Sequence, residues 1–327
     1  MIEASFWEVY DDKSLKCKLC PHYCIIPESK HGRCLTRKNI NQRLVLTNYG
    51  KVSSIALDPI EKKPLFHFFP GKMILSLGSF GCNMKCSYCQ NYSISQKIAP
   101  TEDIDISYIV RLLEKLDDNI GIAFTYNEPF MWYEFIYDVV RSVKDKLPHK
   151  KVVLVTNGYV NQEPLEKLLP YIDSMNIDLK SFEDTFYQKI CKASMKPVLD
   201  TIKMAYNKCH IEVTTLMVTN LNDSLCNIEL IAKFLSDLDK NIPLHLTRYF
   251  PNYLLSNAPT SITLMGEAKK VAQKYLNYVY LGNVPTEDFN IYCPKCKSLV
   301  YNRIQRKSYL RDDLCPQCNF WIPLINK

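Results

Sequence analysis

The stretch KMILSLGSFGCNMKCSYCQN (72–91) combines an apolar segment with three closely spaced cysteines. Its first part, 72–80, predicts a short strand. The cysteines follow in the spacing Cys82-x3-Cys86-x2-Cys89, where a loop at the carboxyl end of that strand is expected. Three thiolates at this spacing wrap a compact loop around a metal. A [4Fe–4S] cluster takes four thiolates, so three leave one iron open to a substrate or cofactor.

Downstream of this loop, short apolar segments alternate with amphipathic ones. The predicted strands are 72–80, 120–126, 151–155, 174–180, 210–218, 243–250 and 278–282, and the predicted helices are 104–116, 129–143, 162–169, 196–207, 224–238 and 266–276. This succession predicts βα units and a parallel sheet. About six such units fall short of the eight of a closed barrel. The predicted fold class is therefore α/β with a partial (β/α)6 TIM-like barrel, although periodicity does not separate this from a doubly wound open sheet.

The cysteine groups and the alternation divide the chain into three predicted regions. Residues 1–71 form an N-terminal cysteine-rich metal-binding segment, and 72–285 form the partial barrel. Residues 286–327, where the alternation stops, form a zinc-ribbon-like module.

The composition of the 327 residues is that of a globular protein, with 47% apolar and 23% charged residues. It excludes disorder, collagen and coiled coil as descriptions of the whole chain. The net charge of +7 is spread along the chain, so we expect no nucleic-acid partner. No apolar run approaches the ~20 residues that span a bilayer, and the first residues do not resemble a secretory signal. These features predict a cytoplasmic protein without membrane association.

The 14 cysteines are concentrated in three groups, and only Cys191, Cys209 and Cys226 stand alone. Clustered cysteines without a signal sequence are typical of metal ligands in a reducing cytosol.

Two of the cysteine groups flank the predicted barrel. The C-terminal group, Cys293, Cys296, Cys315 and Cys318, has the C-x2-C…C-x2-C spacing of a closed structural Zn²⁺ site, with a rubredoxin-type iron as the alternative. The N-terminal group is Cys17, Cys20, Cys24 and Cys34. Its spacing allows zinc or a second iron–sulfur cluster. A cluster would relay electrons, whereas zinc would only fold the segment.

The Cys-x3-Cys-x2-Cys motif, with Tyr88 before its last cysteine, resembles that of the radical S-adenosylmethionine (radical SAM) enzymes. The resemblance implies a [4Fe–4S] cluster on Cys82, Cys86 and Cys89 whose open iron binds S-adenosylmethionine through its amino and carboxylate groups. It also implies reductive cleavage to a 5′-deoxyadenosyl radical that abstracts hydrogen from a substrate. The alternative for the motif is a zinc knuckle.

Three later segments resemble cofactor-binding motifs of these enzymes. TYNEP (125–129) is similar to their GGEP-like segment, which implies that Glu128 accepts hydrogen bonds from the cofactor's amino group. TNG (156–158) resembles an Asp-Thr-Asn-Gly segment, with Val155 in place of the aspartate. Thr156 and Asn157 are predicted polar contacts.

The third segment, IDLK (177–180), resembles the Asp-x-Lys of the pyruvate formate-lyase-activating group. Asp178 and Lys180 are two apart and share one strand face. The resemblance implies that Asp178 contacts the cofactor and Lys180 the substrate, whereas simple mutual charge pairing is the alternative.

LHLTRYFP (244–251) supplies two further candidates for the substrate side, His245 and Arg248. Strict alternation places them on opposite faces of the strand. Both face the cavity only if the strand ends before Arg248.

The whole layout resembles the AmmeMemoRadiSam-system radical SAM enzymes, which are related to pyruvate formate-lyase-activating enzyme. The most distinctive piece of this layout is the segment DPIEKKPLFHFFPG (58–71). It is expected to form a lid or an edge of the substrate site, and the alternative is a packed linker. The resemblance implies an oxygen-sensitive oxidoreductase that receives electrons from a donor such as flavodoxin or ferredoxin and acts on an unidentified substrate.

Two alternatives stand beside this function. The first is an activating enzyme that generates a glycyl radical on a protein substrate. The second is a non-catalytic zinc adaptor that binds RNA or protein, which predicts zinc at all three cysteine groups and no cofactor turnover.

Overall fold

The computed structural model describes residues 2–285 and 288–326, and an eight-stranded sheet forms the centre of this part of the chain. The strands, in chain order, are β1 (Ile2–Glu3), β2 (Trp7–Asp11), β3 (Ser14–Cys17), β4 (Ile25–Pro27), β5 (Arg37–Ile40), β6 (Arg43–Leu46), β7 (Lys51–Val52), β8 (Ser54–Pro59), β9 (Met73–Gly78), β10 (Glu102–Asp103), β11 (Asn119–Phe124), β12 (Lys151–Thr156), β13 (Ser174–Asp178), β14 (His210–Met217), β15 (Leu244–Arg248), β16 (Val279–Gly282), β17 (Ile291–Tyr292), β18 (Leu299–Asn302) and β19 (Lys307–Ser308). The helices are α1 (Tyr92–Ser95), α2 (Ile106–Lys115), α3 (Tyr133–Lys146), α4 (Gln162–Leu168), α5 (Asp184–Phe186), α6 (Lys196–Tyr206), α7 (Leu225–Leu238) and α8 (Ile262–Ala272). A π-helical turn covers Tyr187–Cys191, and 3₁₀ turns cover Ile60–Lys62, Pro129–Trp132 and Leu169–Tyr171.

The central sheet has the order β16-β15-β14-β13-β12-β11-β9-β8. Strands β9 and β11 to β16 run parallel, whereas β8 pairs antiparallel with β9. Helical crossovers join the parallel strands, as parallel pairing requires. The predicted α/β class with a parallel sheet is confirmed. Among the described residues the order is open, with β16 and β8 at the two edges.

Local sequence accounts for where the crossover helices begin. The side chains of Asp105, Ser224 and Ser261 each accept a backbone N–H at the N-termini of α2, α7 and α8. The helix predicted at 129–143 begins only at Tyr133. The preceding residues, Pro129–Trp132, form a 3₁₀ turn that the Glu128 carboxylate caps by accepting the N–H of Phe130.

The register of the parallel strands sets four residues in one row across the sheet. Asp178 pairs with Thr214, Thr214 with His245, and His245 with Tyr280. Side chains in register on neighbouring strands face the same side of a sheet. The row therefore carries polar groups from β13 to β16 along one face.

The DPIEKKPLFHFFPG segment (58–71) packs against that same face. The Asn176 side chain donates to Pro64 O at 2.8 Å, and the backbone N–H of His67 donates to Glu212 Oε1 at 2.7 Å. Most of the segment between Ile60 and Phe68 is buried. It is therefore packed inside the fold, and the structure now accounts for this distinctive piece of sequence.

His67 in this segment makes the stability of the fold pH-dependent. Its Nδ1 lies 3.1 Å from Pro323 O and its Nε2 lies 2.7 Å from the Tyr280 hydroxyl, a pairing that satisfies a neutral imidazole. Burial lowers the pKa of His67 to about 4. As the pH falls, the unfolded chain binds a proton on His67 before the folded protein does. The contribution of neutral His67 to the free energy of unfolding is therefore fully present above the unfolded pKa of about 6.5. About 3 kcal/mol is lost as the pH approaches 4.

Denaturant unfolding of the wild type and of His67→Gln between pH 7 and pH 4 measures this contribution. We expect the difference in free energy of unfolding between the two proteins to narrow as the pH falls. A difference that is constant with pH contradicts the assignment.

Smaller sheets flank the central one. On the N-terminal side lie the sheets β1-β6-β5 and β2-β3-β4, and β7 pairs with β10. On the C-terminal side lies the antiparallel sheet β17-β18-β19. None of the helices in the described residues has the length and apolarity that crossing a membrane requires.

Candidate functional site

A cavity of about 1070 Å³ lies at the carboxyl ends of the parallel strands. Its wall takes residues from the ends of β11, β12 and β13, from β14, β15 and β16, and from the loop after β9. The segment 58–66 and Arg303 of the C-terminal module complete it. The predicted site residues that line it are Cys82, Cys86, Tyr88, Cys89, Glu128, Thr156, Asn157, Asp178, Lys180 and His245.

The cysteine loop (82–89) is held in place by a glycine and an asparagine. Gly81 has a φ of 90°, and a Cβ at this position would lie 2.5 Å from Cys34 O. Glycine is therefore required for the loop to pass. Asn127 accepts the N–H of Ser79 at 2.9 Å and donates to Gly81 O at 3.0 Å. Sequence reasoning drew a conclusion only for Glu128 of the TYNEP segment (125–129) and missed these contacts of Asn127.

The π-helical turn Tyr187–Cys191 packs on the other side of the cysteine loop. The Lys85 N–H donates to Cys191 O at 2.8 Å. The Cys191 thiol is buried, hydrogen-bonds Cys86 and lies 3.6 Å from the Tyr88 hydroxyl. Sequence reasoning missed Cys191 because it stands alone in the chain, and no spacing signal marks it.

Glu128 is buried at the cavity wall with its carboxylate surrounded by neutral donors. The Thr156 hydroxyl donates to Oε1 at 2.6 Å, and the Asn157 N–H donates to Oε2 at 2.8 Å. Burial raises the pKa of Glu128 to about 7, against these hydrogen bonds. A carboxylate in this environment gains most from a cationic or amino group of a ligand.

Asn157 links Glu128 to the cysteine loop. Its Nδ2 donates to Asn83 Oδ1 at 3.0 Å and lies 3.5 Å from Cys82 Sγ, and its Oδ1 accepts the N–H of Tyr159. Its side chain therefore orients the loop as well as lining the cavity.

Asp178 and Lys180 form an ion pair beside the cysteine loop. Lys180 Nζ donates to Asp178 Oδ2 at 2.9 Å and lies 6.0 Å from the centre of the Tyr88 ring. Burial opposes the charge, but the Asp178 and Cys86 side chains keep the pKa of Lys180 well above its usual value. The lysine is therefore a cation in the cavity wall.

His245 belongs to a buried network centred on Glu212. Its Nε2 lies 2.6 Å from Glu212 Oε2, and His210 Nε2 lies 3.1 Å from Oε1. The neighbouring imidazoles overcome burial and hold the pKa of Glu212 well below its usual range. Sequence reasoning missed Glu212. The alternating His210, Glu212 and Thr214 of β14 were the available signal, since alternate residues share one face.

Arg248 is not among the described residues that line the cavity. Strand β15 continues through Arg248, so alternation directs this side chain away from the face of His245. Its Nε donates to Thr260 O at 2.8 Å, and its guanidinium lies over the Phe250 ring.

A second ion-pair network lies at the cavity wall around Asp58. Its Oδ2 accepts from the Tyr126 hydroxyl at 2.7 Å and from Lys63 Nζ at 2.8 Å. Tyr126 has a φ of 72°, which is unusual for an aromatic residue and aims its ring at the lysine, 4.8 Å away. Sequence reasoning did not pair this segment with Tyr126.

The two flanking cysteine groups differ in spacing. The sulfurs of Cys293, Cys296, Cys315 and Cys318 all lie within 4.8 Å of one another. The N-terminal four surround a separate cavity.

Comparison with known proteins identifies the family. A model described as the radical SAM superfamily matches residues 77–235. A protein of Methanocaldococcus jannaschii carries a provisional name as a glycyl-radical enzyme activating enzyme. It is 30% identical to this chain over 219 residues, which cover 63% of this chain and 79% of that protein. The chain belongs to the radical SAM superfamily. Its members are enzymes, and the family implies a [4Fe–4S] cluster and S-adenosylmethionine.

Two further comparisons extend this result. An uncharacterized protein of Methanocaldococcus jannaschii is 44% identical over 311 residues, 93% of this chain and 92% of that protein. A radical SAM methyltransferase from Sphaerobacter thermophilus superimposes with a TM-score of 0.51 at 15% identity, covering 65% of this chain and 67% of that one. The structural likeness shows the fold alone.

Proposed function

We propose that this radical SAM enzyme cleaves S-adenosylmethionine reductively and abstracts hydrogen from a substrate in the 1070 Å³ cavity. The observation that carries the proposal is that Cys82, Cys86 and Cys89 line the same cavity as the buried Glu128. Three thiolates fit a [4Fe–4S] cluster with one open iron. Among the described residues only neutral donors hydrogen-bond the Glu128 carboxylate, which fits an amino group supplied by a ligand.

The remaining cofactor-binding roles follow from position. Thr156 and the Asn157 N–H hold the Glu128 carboxylate, and the Asn157 side chain braces the cysteine loop. Tyr88 and Asp178 line the wall nearby. When bound, the cluster supplies the electron that breaks the sulfonium bond of S-adenosylmethionine.

We assign Lys180 and His245 to the substrate side. Both line the cavity, and the Lys180 ammonium is held by Asp178 while His245 is held by Glu212. We do not assign Arg248 to the substrate side, because it is not among the described residues that line the cavity and its guanidinium donates to the Thr260 carbonyl. A low-potential donor such as flavodoxin or ferredoxin is the proposed source of electrons for this oxidoreductase.

Generation of a glycyl radical on a protein is the second candidate. It is favoured by the relative whose name refers to that activity and by the Asp178–Lys180 pair. Electron paramagnetic resonance of the reduced protein mixed with candidate glycyl-radical enzymes separates the two functions. Absence of a glycine radical with every candidate argues for the first.

Finer structural assignments belong to the same proposal. A single cavity lined by residues from the loop after β9 across to β16 supports curvature of the sheet into a partial (β/α)6 barrel. The closely spaced C-terminal sulfurs support a zinc ribbon. We also propose membership of the AmmeMemoRadiSam subfamily and the three regions 1–71, 72–285 and 286–327.

Release of 5′-deoxyadenosine tests the function. The anaerobically reconstituted protein, supplied with dithionite and S-adenosylmethionine, is expected to release the nucleoside. Absence of release from protein with a full complement of iron contradicts the proposal.

Glu128→Gln tests the cofactor site. Loss of a charge-assisted hydrogen bond costs about 1.5–3 kcal/mol, so we expect the Kd for S-adenosylmethionine to rise about 10–100-fold. Equilibrium binding to the reconstituted protein measures it. Glu163→Gln, an exposed change on α4, is the control and leaves the Kd unchanged. Equal affinity of the two variants contradicts the assigned role.

A further inference from the structure

The N-terminal cysteines Cys17, Cys20, Cys24 and Cys34 come together around a cavity of their own. Cys17 ends β3, and Cys20 and Cys24 lie in the turn that leads to β4. Three of the four are buried, and Cys24 is half-buried. We propose that these four thiolates hold a second iron–sulfur cluster that passes electrons to the site at Cys82, Cys86 and Cys89. The relay rests on the proposed function, whereas the identity of the metal does not.

The spacing of the sulfurs separates this site from the C-terminal one. Zn–S bonds of about 2.3 Å place the sulfurs of a tetrahedral zinc site about 3.8 Å apart. Only the C-terminal group brings three or more donor atoms within 4.8 Å in the described chain, which includes all four N-terminal cysteines. No three sulfurs of the N-terminal group lie this close together, as a single tetrahedral zinc ion requires, and the same holds for the Cys82 group. Thiolates that bind separate irons of a cluster lie farther apart than the ligands of one ion.

A buried arginine supplies an independent observation. Arg37 is fully buried and lines the N-terminal cavity. Its Nη1 donates to Ser5 O at 2.6 Å and its Nη2 to Glu134 Oε1 at 2.7 Å, while its Nε has no partner among the described residues. An unpaired buried N–H of a guanidinium is costly. A sulfide or thiolate of an anionic cluster is the kind of acceptor that it lacks.

The N-terminal site also touches the Cys82 loop directly. His22 Nε2 lies 2.8 Å from Asn83 O, and Asn83 lines the N-terminal cavity. Gly81 passes so close to Cys34 that a Cβ would lie 2.5 Å from its carbonyl oxygen. The two cysteine groups are therefore direct neighbours, an arrangement that suits electron transfer between them.

The relay moves one electron at a time. A low-potential one-electron carrier, an iron–sulfur or flavin protein, reduces the N-terminal cluster from its 2+ to its 1+ state and is itself oxidised. The N-terminal cluster then returns to 2+ as the cluster at Cys82, Cys86 and Cys89 is reduced to 1+.

Metal counting on the full-length protein tests the proposal. After anaerobic reconstitution we expect about eight irons per chain in the wild type and about four in both Cys17→Ala/Cys20→Ala and Cys82→Ala/Cys86→Ala/Cys89→Ala. Zinc at the C-terminal group is the internal reference, about one per chain in all three proteins. The variant without the Cys82 group isolates the N-terminal site and is expected to show a cluster signal in electron paramagnetic resonance when reduced.

Cys24→Ser provides a second readout in case the double variant does not fold. This variant is expected to keep its iron. The midpoint potential of the N-terminal cluster, followed by its electron paramagnetic resonance signal, is expected to shift because a serine oxygen replaces a thiolate. A shift of ~59 mV changes the equilibrium constant for one-electron transfer about tenfold. We therefore also expect reduction of the Cys82 cluster by reduced flavodoxin to slow ~10-fold in this variant.

Two results overturn the cluster assignment, and a third overturns the relay. One is about four irons in the wild type with a second zinc per chain. Another is the absence of iron from the variant without the Cys82 group. The third is an unchanged reduction rate in Cys24→Ser with an altered potential, which removes the relay but not the cluster. None of these measurements depends on release of 5′-deoxyadenosine. Failure of this inference can therefore be told apart from failure of the proposed function.

Discussion

Replacing Cys82, Cys86 and Cys89 together with alanine is expected to abolish release of 5′-deoxyadenosine. Mutations of residues that only support metal ligands cost about 10–100-fold in metal affinity or activity, so removal of all three ligands is expected to cost more than ~100-fold. The reason is that no thiolate then holds the iron whose open position binds the cofactor. Nucleoside release under dithionite, followed by chromatography, is the measurement.

Two matched comparisons make this result specific. Cys226→Ala removes an exposed cysteine on α7 and is expected to release the nucleoside at the wild-type rate. Unfolding midpoints show whether the triple variant keeps its fold. Nucleoside release that persists in a folded triple variant contradicts the assignment of the cluster to this loop.

Replacing Glu212 with alanine is expected to lower the free energy of unfolding by about 3–5 kcal/mol, the range for breaking a buried charge network. The side chain is fully buried and accepts the His67 N–H at 2.7 Å. It also holds Nε2 of His245 at 2.6 Å and of His210 at 3.1 Å. Without the Glu212 carboxylate, the backbone N–H of His67 loses its acceptor and His245 loses the contact that orients its ring.

The variant Glu212→Gln shows how much of the lost free energy of unfolding comes from the charge of the side chain and how much from its volume. It keeps the size of the side chain, so we expect a smaller loss of about 1–3 kcal/mol. Because the folded-state pKa of Glu212 is depressed, its stabilisation is present above the unfolded pKa of about 4.3 and is lost as the pH falls below it. Denaturant unfolding of the wild type and Glu212→Gln at pH 7 measures the loss of stability. The difference in free energy of unfolding between the two proteins is expected to narrow when the measurement is repeated between pH 4 and pH ~3.

The control for this series is Glu114→Gln, an exposed position on α2. We expect it to change stability by less than ~0.5 kcal/mol. A loss at Glu212 as small as that at Glu114 would mean that the buried network does not stabilise the fold.

The site divides into residues that sequence reasoning identified and residues that it missed. The cysteine loop and Glu128 were found because the spacing of their motifs is local in the chain, and both line the cavity. Glu212 belongs to no motif, and the TYNEP motif (125–129) points to Glu128 and not to Asn127. Their importance comes from contacts with His67 and Ser79, which lie far away in sequence.

Arg248 shows how the end of an element decides a side chain's direction. The sequence places it three residues after His245, and both reach the cavity only if the strand stops early. Strand β15 continues through Arg248, and the arginine donates to Thr260 O instead. Strand ends depend on pairing with neighbouring strands, which the local sequence does not contain.

The sequence by itself determined the α/β alternation, the three cysteine groups and the cluster loop, because hydrophobic periodicity and ligand spacing are local properties of a chain. Only the tertiary structure decided that the 58–71 segment packs against the polar face of the sheet and that the N-terminal cysteines touch the Cys82 loop. Those contacts join residues far apart in the chain, and their partners are chosen by packing and by the need to pair buried polar groups.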